Sequence, residues 1–282
     1  MPNGPLPNDP LWPRAGAWPA PVAGERADVA IIGIPTHQRS ISPTNAHLTP
    51  EAVRDALRRY SLGTKLHIVD CGDAPDPDSV DATPLIAAIN ARVVIALGGD
   101  NSATVPVALG RFSTGLVTVD AHHDLRDGIS NGSPVRQLVE AGIAADRVVQ
   151  IGIEPLANSR QYADRAEALG ITVIPREQLY QRPIAEIVAD AIDLASVGGG
   201  TVHVDLDVDV CDRSVAPGCP ASVPGGISAF ELRMAARAAG RHPAVTSVDL
   251  TEVDATADAP DGRTVRLVAL CVLEIITGVS LR

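Results

Sequence analysis

Val117-Thr-Val-Asp-Ala-His-His-Asp124 is the stretch on which the reading of this chain turns. The run from Leu116 to Val119 is short, apolar and rich in β-branched residues, as a buried strand is, and it stops at three potential metal ligands: Asp120, His122 and Asp124. A second stretch follows the same plan. Thr201-Val-His-Val-Asp-Leu-Asp-Val-Asp-Val-Cys-Asp212 passes from apolar alternation into carboxylates at Asp205, Asp207, Asp209 and Asp212. Side chains two apart on a strand share a face, so Asp205, Asp207 and Asp209 converge if extended backbone persists that far. Like charges gathered out of water are costly unless they are paired, protonated or bound to a cation. A divalent metal is the simplest answer.

Outward from these stretches, strands and helices alternate. Strands are expected at Ala27 to Pro35, Leu66 to Val69, Val93 to Leu97, Leu116 to Val119, Val148 to Ile153, Ile171 to Ile174, from Thr201, and at Val245 to Asp249. Helices are expected from Thr49 to Tyr60, within Ser79 to Asn90, and over Pro134 to Ala141, Ser159 to Leu169, Ile184 to Ser196, Ala229 to Gly240 and Arg263 to Thr277. The first of these opens with an N-cap threonine and proline at the first helical position. This alternation implies a mostly parallel sheet covered on both faces, with its ligand site outside the carboxyl ends of the strands. Four strand ends carry polar residues there: 98–102, 120–124, 205–212 and 249–254. Gly98-Gly99 opens the first of them and permits either a loop bent around a ligand or an ordinary tight turn.

Composition narrows the function. The chain has 282 residues and 45% hydrophobic content, enough for one large domain. Aromatics supply only 2%, so the core must be aliphatic. A formal net charge of −11 argues against nucleic-acid and anionic-membrane partners, which need clustered Lys and Arg. Four cysteines without Cys-x-x-Cys spacing, no leader and no apolar run of spanning length point to reduced thiols and a cytoplasmic protein. Residues 1–26 hold seven prolines and form an irregular arm on the surface or on a neighbouring subunit, leaving 27–282 as a single domain.

Carboxylate-rich sites with few imidazoles and no thiolates favour Mn²⁺ over Zn²⁺, and metal-assisted hydrolysis is the expected chemistry. The chain resembles the ureohydrolase family of arginase, agmatinase and formiminoglutamase over about residues 27 to 280. The resemblance rests on Gly98-Gly-Asp-Asn-Ser, Asp120-Ala-His-His-Asp, Asp205-Leu-Asp-Val-Asp-Val-Cys-Asp followed by Ala216-Pro-Gly, and Glu252 in Asp-Leu-Thr-Glu-Val-Asp. It implies an arginase-like three-layer α/β/α sandwich around a mostly parallel sheet of about eight strands, assembled as homotrimers or hexamers. It implies two Mn²⁺ ions bridged by Asp120 and Asp207, with His122 and Asp209 on one ion and Asp124 on the other. Glu252 is implied to hold a cationic amidinium or guanidinium, and Asp212 to be structural. Asp205 stands where the family often has serine, which leaves its role open.

Two departures set expectations about substrate and metal. Asn101 occupies a position that is histidine in arginase and agmatinase; a neutral amide oxygen is a weaker metal donor, so one ion is expected to be weakly held or absent. Asn131 stands where those enzymes carry a histidine implied in proton transfer, and an amide cannot serve as acid or base near neutral pH. Together with Ser133, Asn131 places the chain nearer formiminoglutamase. The implied reaction is hydrolysis of N-formimino-L-glutamate to L-glutamate and formamide, a step of histidine degradation, with Asp124 moving the proton. The alternatives are cleavage of agmatine or a guanidino acid with release of urea, and a metal-depleted silent homologue. A dicarboxylic substrate needs cationic partners; Arg126, Arg136 and Arg160 are the candidates, each also readable as a surface or structural arginine. His123 is expected to support the site or pack beside it, and His47 to border the pocket from an early loop.

Overall fold

Eight short, mostly β-branched segments become eight parallel strands in a computed structural model that describes residues 9–282. They are β1 (Ala27–Ile34), β2 (Ile68–Asp73), β3 (Ala91–Gly98), β4 (Gly115–Val119), β5 (Val148–Ile153), β6 (Thr172–Pro175), β7 (Val202–Asp207) and β8 (Val245–Thr251). Their order across one sheet is β2-β1-β3-β8-β7-β4-β5-β6, and every neighbouring pair is parallel. From β3 the chain runs outward through β4, β5 and β6 and then turns back to add β7 and β8 between β3 and β4, so β4 and β7 are neighbours whose onward connections run in opposite directions. A ligand crevice is expected at the carboxyl ends of strands flanking such a point. The four polar strand ends belong to β3, β8, β7 and β4, four adjacent strands at the centre of the sheet.

The eight helices are α1 (Thr49–Leu57), α2 (Thr83–Ala87), α3 (Thr104–Gly110), α4 (Pro134–Glu140), α5 (Arg160–Leu169), α6 (Ile184–Ala195), α7 (Ala229–Arg241) and α8 (Arg263–Val279). Alternation along the strands separates two layers. Val29, Ile31, Val93, Ile95, Val204 and Leu206 pack with residues of α1, α6, α7 and α8 in one large cluster. On the opposite face the core is split in two: Ala30, Ile32 and Val94 pack with Ile86 and Val107, whereas Leu116 and Val148 pack with Val135, Leu138 and Ala166. None of the seven aromatic residues is among the buried side chains of the three clusters, so this is an aliphatic core.

Several elements differ from the sequence expectation. The helix sought between Ser79 and Asn90 is only Thr83–Ala87, with Asp81 accepting from Thr83 N and Pro84 in the first turn. Helix α3 was not expected. Its Thr104-Val-Pro-Val is β-branched and contains proline, yet Pro106 falls in the first turn, where its missing N–H costs no helix bond. Strand β7 ends at Asp207, and a single 3₁₀ turn, Val208–Val210, carries the chain onward. Asp205, Asp207 and Asp209 are therefore not three steps along one strand. The paired glycines at the end of β3 do not have positive φ; a Cβ on Gly99 would lie 1.9 Å from Thr36 O, so the position serves close packing of the β1 loop.

Residues 9–26 form no helix or strand. They run across their own chain's surface, with Ala15 N donating to Tyr60 O and Pro19 O accepting from Asp70 N, and with Ala15 buried. Among the described residues, no helix is long and apolar enough to cross a membrane.

Helices α7 and α8 meet through Gly240 and Gly278. A Cβ on Gly240 would lie 2.1 Å from Ile275 O, and one on Gly278 would lie 2.4 Å from Arg237 O. Arg233 and Arg237 of α7 clasp the buried Glu274 of α8, which fixes the crossing. In an uncrowded helix Gly→Ala stabilises by up to about 1 kcal/mol. Here the sign should reverse: Gly240→Ala is expected to destabilise by about 1–3 kcal/mol, read as a lower midpoint in chemical denaturation. A stabilised variant would refute the close backbone contact.

Candidate metal centre

The site forms where the central strands stop. Asp120 follows β4 directly, and its Oδ1 accepts from His122 N at 2.7 Å. His122 Nδ1 lies 2.7 Å from Asp209 Oδ2 and 3.5 Å from Asp120 Oδ1. The 3₁₀ turn after β7 is capped by Asp207, whose Oδ1 accepts from Asp209 N at 2.8 Å, and this turn swings Asp209 across to His122. Ligand atoms of Asp120, His122 and Asp209 all lie within 4.8 Å of one another. Asp124 and Glu252 stand opposite, and both have left-handed backbone, φ 51° and 63°. That conformation costs a side-chain-bearing residue ~1 kcal/mol, a strain tolerated where the surroundings fix a functional geometry.

Asn101 and Asn131 knit the second half of the site. Glu252 Oε1 accepts from Asn101 N at 2.7 Å and from Asn131 Nδ2 at 2.8 Å; among the described residues no hydrogen bond engages Oε2. Asn131 Oδ1 in turn accepts from Ile41 N, and Asn131 N donates to Arg39 O, so the loop after β1 closes over this side. Asn101 Nδ2 donates to Asp124 Oδ2 at 2.6 Å, and its Oδ1 accepts from Thr104 and Thr251 hydroxyls at 2.6 and 3.1 Å. In this arrangement two hydroxyls occupy that oxygen, and the amide nitrogen faces the carboxylate.

Burial and mutual repulsion dominate the electrostatics. Desolvation, reinforced by neighbouring carboxylates, pushes Asp120, Asp205 and Asp207 well above the ordinary range. Burial likewise raises Asp124 to about 7 and Glu252 to about 8. Burial alone would pull the His122 imidazole down, but Asp209 beside it prevails and raises it to about 10. Asp209 is held low by the same pairing, against its own desolvation. Asp120 Oδ2 is buried and has no hydrogen-bond partner. A cation fits these residues: the donors are carboxylate oxygens with one imidazole, and an ion would take the place of the proton on His122.

The other candidates divide. Arg126 lies close enough to Asp124 to oppose the rise of its pKa, and its side chain packs at Gly132 in the same loop as Asn131. Arg136 instead braces that loop, donating from Nε to Arg126 O and from Nη2 to Gly128 O, and pairs with Glu140. Ser133 is fully buried; its hydroxyl donates to Ser130 O and accepts from Ser130 N and Gln137 Nε2, so it closes the loop. Arg160 is not brought to the cluster: its side chain is 87% exposed and pairs one helical turn on with Asp164. His123 is pinned to Gln150 through its Nδ1 at 2.7 Å. His47 stacks 4.2 Å from His37, which pairs with Asp78. Sequence reading passed over Ile41, Arg39 and Thr251, the first two because they act through backbone atoms that no side-chain motif reveals.

The arginase family model matches residues 27–278. The chain belongs to the arginase family. Among curated relatives in this family, a formimidoylglutamase of Halalkalibacterium halodurans is 31% identical, the match covering 94% of this chain and 92% of that protein. A formimidoylglutamase of Bacillus subtilis is 30% identical over 89% of this chain and 87% of that one, and a guanidinopropionase of Pseudomonas aeruginosa is 30% identical over 94% and 91%. The crystal structure of the Bacillus subtilis formimidoylglutamase superimposes with a TM-score of 0.88 at 26% identity, covering all of this chain and 96% of that one.

The raised carboxylates make stability depend on pH with a definite sign. Asp124 and Glu252 bind protons more tightly folded than unfolded, so the stability they allow is present below about pH 4 and is lost as pH rises through about 7 to 8. Metal-free protein is expected to melt higher at about pH 6 than at about pH 8.5, and added Mn²⁺ should erase or reverse the difference. Calorimetry with and without chelator checks this; equal melting temperatures without metal would contradict the buried carboxylate cluster.

Proposed function

We propose that this protein hydrolyses N-formimidoyl-L-glutamate to L-glutamate and formamide with the help of a carboxylate-held Mn²⁺. The observation that carries the reading is Asn131. Its amide is bonded at both ends, to Glu252 and to Ile41 N, so it positions a carboxylate and cannot transfer a proton. An amidine substrate with that arrangement agrees with the full-length similarity to formimidoylglutamases.

Asp120, His122, Asp207 and Asp209 would hold the ion, with Asp124 on the side of a second ion if one binds. A divalent ion held there supplies Lewis acidity, lowering the pKa of water and stabilising negative charge as it develops. The chain's own residues do the rest. Glu252 Oε2, with Oε1 fixed by two donors, faces the cationic amidinium, whose charge would favour the ionised carboxylate. Asp124 Oδ2 is held by Asn101, which leaves Oδ1 to take a proton from the attacking water and deliver it to the departing glutamate nitrogen. Arg126, beside Asp124, is the cation best placed for a substrate carboxylate. A cytoplasmic homo-oligomer in which 27–282 is one catalytic domain belongs to the same proposal.

The similarity to a guanidinopropionase favours one second reading, a guanidino acid cleaved with release of urea. Incubation of the Mn²⁺-treated protein with formimidoylglutamate, agmatine and guanidinobutyrate separates the two. Glutamate release that chelator removes and Mn²⁺ restores is expected; urea release alone would reverse the substrate, and no turnover with no metal uptake would indicate a silent homologue. Asp207→Asn should lower kcat by at least about a hundredfold. Near-normal turnover in that variant would exclude the mechanism.

A further inference from the structure

The split in the core on one face of the sheet has a cause. Where β7 and β8 cross that face they present no apolar side chains: His203, Asp205 and Asp207 alternate with Val202, Val204 and Leu206, and Ser247, Asp249 and Thr251 alternate with Val248 and Leu250. The ladder register sets His203 opposite Ser247 and Asp205 opposite Asp249. His203, Asp205, Ser247, Asp249 and Thr251 are all at most 1% exposed. A polar row thus occupies the centre of a domain, where aliphatic residues would join two core clusters into one. Burying such groups is unfavourable unless they are bonded to one another, so the row needs a reason beyond folding.

The row is continuous with the metal centre. His203 Nδ1 lies 2.8 Å from Ser247 Oγ, and its Nε2 lies 3.2 Å from Asp249 Oδ2, an ion-pair contact without hydrogen-bond geometry. Asp249 is paired with Asp205 across the ladder, and Asp205 reaches Asn101 by way of the Thr251 hydroxyl. Thr251 Oγ1 lies between them, 3.1 Å from Asn101 Oδ1 and 3.4 Å from Asp205 Oδ1. The amide of Asn101 is thereby held on both sides: Thr104 and Thr251 hydroxyls face its oxygen, the latter also touching Asp205, and Asp124 faces its nitrogen. Both acceptor sites of the amide oxygen are taken by hydroxyls and one donor of its nitrogen by Asp124. Its orientation, and with it that of Asp124 Oδ2, depends on where Asp205 stands.

We propose that His203 and Asp249 are positioning residues for the metal centre, acting through Asp205 on Asn101 and Asp124. The imidazole anchors Asp249, Asp249 sets Asp205, and Asp205 with Thr251 fixes the face that Asn101 turns to Asp124. The row reaches the reaction without touching substrate. This inference rests on the ligand assignment given above, and its first readout is binding of the metal alone.

The test is Mn²⁺ titration of the purified full chain, followed by electron paramagnetic resonance, with melting temperature, kcat and KM measured on the same samples. Loss of a group that orients a metal ligand typically costs about 10–100-fold in affinity or activity. His203→Leu is expected to weaken Mn²⁺ binding and lower kcat by about tenfold each with KM within about twofold, while His203→Gln, which keeps an N–H, retains most of both. Asp249→Asn, nearly isosteric, should behave like His203→Leu and carries the comparison if the leucine variant does not fold. Wild-type Mn²⁺ affinity and kcat in folded His203→Leu or Asp249→Asn would overturn the proposal. So would equal losses in His203→Leu and His203→Gln that only track a lowered melting temperature. If the wild-type chain itself takes up no Mn²⁺, the ligand assignment fails and this proposal with it; wild-type binding with unmoved variants defeats the positioning role alone.

Discussion

Negative charge confined at the carboxyl ends of four adjacent strands is the constraint on which the structure depends. Asp120, Asp124, Asp205, Asp207, Asp209 and Glu252 are each buried within one crevice. Their repulsion in a medium poorer than water in screening would exceed the margin by which a domain is stable, were protons or cations not available to offset it. The surroundings show how the offset is prepared. His122 lies against Asp209, the amide of Asn101 against Asp124, and backbone N–H groups point at Asp120, Asp207, Asp209 and Glu252. These contacts hold the carboxylates in place and leave Asp120 Oδ2 without a partner, as a site waiting for a cation would require.

The sheet is arranged to make that concentration possible. Parallel strands bring all their carboxyl ends to one edge, and the crossover from β3 to β4 leaves a gap that β7 and β8 fill when the chain turns back after β6. Insertion of the two latest strands at the centre brings residues 98–102 and 249–254 together, although they are separated by half the chain. Asn101 N reaching Glu252 Oε1 is the direct result. Left-handed backbone marks Glu252, directly after β8, and Asp124, in the loop that follows β4.

Much of this was legible from residue order. β-branched runs ending in Asp-x-His and Asp-x-Asp announced strands and ligands together, because strand ends and metal sites have different compositions that change abruptly at Val119 and Leu206. Other parts were silent for physical reasons. Helix α3 is written in residues that favour strands and is held by packing, Val107 in the cluster under β1 and β3 and Ala108 in the one under β4 and β5. The divergence of Asp205 from Asp209 depended on one 3₁₀ turn, which no periodicity reveals. His203 and Asp249 looked like ordinary polar residues in strands; their meaning is a matter of register, and register is a property of two segments. Arg160 and Ser133 carried suitable functional groups at plausible places, but a helix turn paired one with Asp164 and a loop consumed the other.

The bond from Ile41 N to Asn131 also says something about how this pocket can change. Asn131 grips the loop after β1 only by main-chain atoms, the N–H of Ile41 and the carbonyl of Arg39. The loop's path is therefore set independently of which side chains it displays. Residues 39 and 41 form an interchangeable rim: new groups placed there would meet incoming molecules differently, while the carboxylate that Asn131 orients stays where it is. A scaffold of this kind can be refitted for another amidine or guanidine without rebuilding its catalytic floor.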